Sequence, residues 1–135
     1  MKNAIVNIII VLGFTLLGGF VDGFLIGAGL LGGAHEEVTT GASALGSMAG
    51  FCLAGCRVPL RRGRHLVWLA AAFFLVNVLY CTWSGLSDGS AFDPAWFAGV
   101  IVGNLGYTLV CAGVGGVLSM AIMSTRAKSA AHATS

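Results

Sequence analysis

With 135 residues, 57% of them hydrophobic, only 9% charged and a mean hydropathy of +0.92, the chain lies far from the composition of soluble domains, about a quarter of whose residues are charged. This predicts an all-α, polytopic membrane protein: one transmembrane domain over residues 1–125 and no separate soluble domain, because the apolar spans consume most of the length. The net charge is +2, and its basic residues sit where membrane topology accounts for them, so no nucleic-acid partner is expected.

Beyond a short basic start at Lys2, an apolar run predicts a first span over about residues 4–26, since roughly 20 apolar residues cross a hydrocarbon core of about 30 Å. A cleaved signal peptide is the competing reading, but the run exceeds the roughly 7–15 residues of such a hydrophobic region. The acidic connection His35-Glu36-Glu37 leads into a second span over about 38–56, and the two glutamates suit the positive end of its helix dipole. Next comes Arg57-Val-Pro-Leu-Arg-Arg-Gly-Arg-His65, a basic loop in which Pro59 ends any helix. The third span, about 66–86, carries Trp68 and Trp83 near its ends as interfacial aromatics and, bearing Phe73, Phe74, Leu75 and Leu79, is the span expected to face lipid. A turn around Asp88 and Asp93 ends in Pro94, suited to the first position of a fourth span over about 95–123. Residues 126–135 read as a polar, mobile tail.

Four crossings sort the charges. Lys2, Arg57, Arg61, Arg62, Arg64, Arg126 and Lys128 all fall on one side, and Glu36, Glu37, Asp88 and Asp93 on the other. Lysine and arginine concentrate on the cytoplasmic face of membrane proteins, so both termini of this four-transmembrane-helix bundle are expected to be cytoplasmic. The expected setting is a bacterial inner membrane.

Helices in lipid associate through close backbone approach and interhelical hydrogen bonds, because lipid tails are as apolar as leucine. Small residues therefore mark expected contacts: Gly19, Gly23 and Gly27 in the first span, Ala42, Gly46, Gly50 and Ala54 in the second, and Gly99, Gly103 and Gly106, with Gly113, in the fourth. The second span is more than half Gly, Ala and Ser, which places it inside the bundle or against a partner.

Three polar residues within the spans are candidates for a site. Asp22 is the one charged side chain inside an apolar run, and such groups are costly to hold there. Its position near the far end of the first span also permits it to reach headgroup water or to fix helix packing. Asn77 and Asn104 fall at similar depth on neighbouring spans and are expected to pair as an interhelical amide hydrogen bond, or to line a solute site, with Tyr107 and Thr108 close by.

Other chemistry finds little footing. Cys52, Cys56 and His65 match no usual zinc spacing, and three histidines at the edges and tail give no facing pair for haem. Gly27-Ala-Gly-Leu-Leu-Gly32 satisfies G-x-G-x-x-G, but a membrane span precedes it and no acidic residue follows about 20 positions on, as the dinucleotide fingerprint requires. No cofactor, metal or enzymatic activity is expected. The leading expectation is a non-catalytic structural or assembly subunit of a homo-oligomer or larger membrane complex, its partners being the lipid bilayer and other membrane-protein subunits. The alternative is an oligomeric channel or transporter for a small ion or solute, lined by Asp22, Asn77 and Asn104.

Overall fold

The computed structural model describes residues 2–28, 35–58, 62–87 and 93–133. Among them all regular structure is helical: α1 (Lys2–Gly27), α2 (His35–Arg57), α3 (Arg62–Ser87) and α4 (Pro94–Ala133). Three of the four contain segments long and apolar enough to cross a membrane: Asn3–Leu25, Gly63–Ser87 and Pro94–Ala130. Together they mark a multi-pass membrane protein.

α2 is the exception, and its place in the bundle explains why. Its 23 residues reach about 35 Å, enough to cross, but small and polar side chains replace large apolar ones. It is the central helix, in contact with α1, α3 and α4, so little of it needs to be lipophilic. Its glycines let the neighbours come close. A methyl group on Gly46 would strike the Phe14 carbonyl oxygen, and one on Gly50 would lie 2.8 Å from the Val11 Cα. Gly18 meets the backbone of Ala42 and Ser43 from the α1 side, and Gly115 brings α4 against Phe51 and Met48. Backbone contact of this kind is the main source of helix association where water is absent.

The apolar core gathers Val11, Phe51, Ala54, Leu69, Phe73 and Cys111 from all four helices. Phe73, on the span expected to face lipid, is 2% exposed: it packs edge-on against Phe51 at 5.5 Å and stacks on Tyr107 at 6.2 Å. Leu75 and Leu79 from the same run do point outward. Trp68 and Trp83 are both exposed, about 22 Å apart along α3.

Two helix ends differ from expectation. α3 starts at Arg62, within the basic segment, although cations in a first helical turn oppose the dipole by about 0.3–1 kcal/mol. α4 starts where Asp93 accepts the Ala95 N–H at 2.9 Å and Pro94 takes the first helical position, but it then runs unbroken through Arg126 and Lys128 to Ala133. The expected mobile tail is thus helical over most of its length.

Candidate functional site

The polar residues of α1 share one stripe. Asn7, Thr15 and Asp22 recur with Val11 and Gly18 at intervals of three and four, so they point the same way, and that way is inward. Asn7 and Asp22 are buried, at 0% and 4% exposure. α2 answers with Ser43 and Ser47, one turn apart. Asp22 Oδ2 accepts both the Ser43 N–H at 3.2 Å and the Ser43 hydroxyl at 3.0 Å. Ser47 donates to the Ser43 carbonyl at 2.8 Å and meets both Thr15, at 2.8 Å, and the Tyr107 hydroxyl of α4, at 2.9 Å. A hydrogen-bonded chain of side chains therefore crosses from α1 through α2 to α4 near the middle of the bundle.

On its far side lies a cleft of about 430 Å³ walled chiefly by α3 and α4. Thr15, Ser43 and Tyr107 face into it from the chain just described; Asn77, Tyr80, Cys81, Gly99, Val100, Gly103 and Asn104 complete the lining. Asn77 and Asn104 are thus brought to one cavity, but they do not bond each other. Each amide turns back to its own helix, Asn77 to the Phe73 carbonyl at 3.0 Å and Asn104 to the Val100 carbonyl at 2.8 Å, and Asn104 also reaches Cys81 Sγ at 3.7 Å across the helix pair. Asp22 is not in the lining. It stands behind Ser43, turned into the bundle rather than toward headgroup water, and its Oδ1 has no hydrogen-bond partner among the described residues.

The expected packing residues divide. Ala42, Gly46, Gly50 and Ala54 lie along the α2 contacts. Gly19 and Gly23 are exposed one position off the inward stripe, and the close approach on α1 is made by Gly18. Gly99, Gly103 and Gly106 are exposed, and a methyl group on any of them would meet nothing within 4 Å among the described residues; Gly115 makes a close α4 contact instead. Among the topology residues, Arg57 and Arg64 are exposed and Arg61 lies outside the described residues. So do Gly29 and Gly32 of the G-x-G-x-x-G match, which follows a helix where the fingerprint needs a strand. All four cysteines are free thiols, and no group of three or more His, Cys, Asp or Glu among the described residues is placed to hold a metal.

A second polar contact ties α1 to α3 at the other end of the bundle. Asn7 Nδ2 lies 2.7 Å from His65 Nε2, which suits an amide donor and a neutral ring acceptor, and Asn7 Oδ1 is buried without a partner. His65 and Trp68 border two small cavities there, of about 270 and 260 Å³. Sequence reasoning passed over Asn7, Thr15, Ser43 and Ser47, and weighed His65 only as a metal or haem ligand. The signal was the regular spacing of polar residues inside apolar runs, which marks the face that must be hidden from lipid. No protein-family model matches the chain, and neither a curated protein nor a solved structure was found to be similar to it.

Proposed function

We propose that the chain crosses a cytoplasmic membrane four times with both ends on the basic side, and that the cleft between α3 and α4 receives a small polar solute or ion on its way across. The observation that supports this reading is convergence. Asn77, Asn104, Tyr107, Thr15 and Ser43 come from four helices and line one cavity, at a height where side chains facing lipid would be costly. Pure packing needs no cavity. Amides serving only to hold α3 to α4 would satisfy each other, whereas each of these gives an N–H to a carbonyl of its own helix.

The four-crossing topology draws on the charge asymmetry: every lysine and arginine falls on one side of it. A thiol introduced as Asp88→Cys should react with a membrane-impermeant reagent added outside intact cells, and one introduced as Arg61→Cys should not; the reverse pattern inverts the arrangement. For transport, vesicles carrying the purified protein should pass at least one small polar solute or ion faster than empty vesicles. Asn77→Leu with Asn104→Leu should abolish the difference. Absence of flux for protons, simple ions and small neutral solutes alike would reject the reading.

A second reading, a structural or assembly subunit, has its own observation. Gly99, Gly103 and Gly106 form an exposed small-residue face beside the cleft, of the kind that brings helices of separate chains together. The two readings combine if a second copy closes the cleft. Bulky Gly106→Leu should then lower the oligomer measured in mild detergent; a monomer in wild type would argue against both the assembly role and this closure.

A further inference from the structure

We propose that the cleft selects a small organic cation bearing N–H donors, of the alkylammonium or guanidinium class, with Asp22 as counter-charge behind its wall. This rests on the cleft being a solute site and adds the chemistry of the solute.

Thr15 donates to the Val11 carbonyl at 2.8 Å, and Ser47 meets the Ser43 carbonyl, the Thr15 hydroxyl and the Tyr107 hydroxyl within 2.8–2.9 Å, so these three hydroxyls are engaged with the wall. Ser43 likewise gives its hydroxyl hydrogen to Asp22. Asn104 directs its amide nitrogen at two acceptors, the Val100 carbonyl and Cys81 Sγ, so its side-chain oxygen is what remains. Asn77 gives one N–H to Phe73 and keeps its oxygen free as well.

The cleft therefore offers the amide oxygens of Asn77 and Asn104 as acceptors beside the Tyr80 hydroxyl, and no lysine or arginine among the described residues lines it. Behind Ser43, Asp22 is 4% exposed, and one of its oxygens has no partner among the described residues. A buried carboxyl group without a cationic neighbour is expensive, and a cation in the adjoining cleft relieves that cost. An anion would meet the amide oxygens with the Asp22 carboxyl group behind the wall; a neutral solute would leave Asp22 uncompensated. A volume of about 430 Å³ is far larger than an inorganic ammonium ion needs. Tyr80 and Tyr107 supply aromatic surface for the organic part and for cation–π attraction.

The test compares five probes on the purified protein, by calorimetric binding in detergent and by uptake into vesicles: methylammonium, guanidinium, tetramethylammonium, urea and acetate. Methylammonium or guanidinium should bind at least tenfold more tightly than tetramethylammonium, which carries the charge without N–H donors, and more tightly than urea, which carries donors without the charge. Asp22→Asn should weaken cation binding at least tenfold and leave urea unchanged. Asn104→Leu, with helix content and particle size checked, should weaken both cations even if Asp22→Asn fails to fold. Equal binding of tetramethylammonium overturns the donor argument, and passage of urea alone overturns the cationic class while leaving the solute site standing. Binding or passage of acetate in preference to the cations overturns it too, and silence from all probes, with no flux of any solute, removes both readings.

Discussion

The two flanks of α2 are built from the same residue types to opposite ends. Against α1, glycines at positions 18, 46 and 50 remove side chains so that two backbones touch, and hydroxyls seal what is left. Between α3 and α4, Gly99 and Gly103 also remove side chains, but nothing moves in, and the result is a cleft. Glycine in a membrane helix thus has no fixed meaning. Whether it marks contact or space depends on which polar residues share its face, since those decide which face is hidden.

The sharpest way to break this contrast is to place the same kind of side chain on each flank. Gly46→Val should cost about 3 kcal/mol or fail to fold, because its Cβ has no room beside the Phe14 carbonyl, as measured by unfolding in a mixed detergent. A substitution of the polar chain comes next: Asp22→Leu should destabilise by about 1–2 kcal/mol, by removing the acceptor for two Ser43 groups. His65→Ala should cost about 1 kcal/mol in the same assay, since it leaves the buried Asn7 amide without its bond. Tyr107→Phe keeps the stack on Phe73 and loses one hydrogen bond to Ser47, for about 0.6 kcal/mol. Gly103→Ala should be smallest, neutral or stabilising by about 0.5 kcal/mol through helix propensity, while the added methyl group narrows the cleft and changes flux. If Gly103→Ala proved as damaging as Gly46→Val, the contrast between the flanks would be lost.

The helices were legible in the sequence for physical reasons that do not need tertiary context. Long apolar runs, Pro94 at a helix start and the polar connections between runs are local signals. Which side of each helix faces inward was less legible. A repeat of glycines at intervals of four picks out Gly19 and Gly23 as readily as Gly18, and only the neighbouring Asn7, Thr15 and Asp22 distinguish the buried face from the one beside it. Phe73 misleads in the same way: it is as apolar as Leu75, and hydropathy alone carries no preference between core and lipid. Asn77 and Asn104 were placed at a common depth by counting residues, and the structure does bring them to one cavity. Their failure to pair depends on side-chain direction, which residue counting does not supply.

The unbroken run of α4 has a mechanical consequence. From Asn104 at the cleft to Ala133, the helix continues for about 44 Å without proline, so the two points belong to one stiff rod. A tilt of about 5° at the cleft would swing the far end by about 4 Å, carrying Arg126 and Lys128 with it. Occupancy of the interior would in this way become visible as displacement of two positive charges beyond the apolar layer.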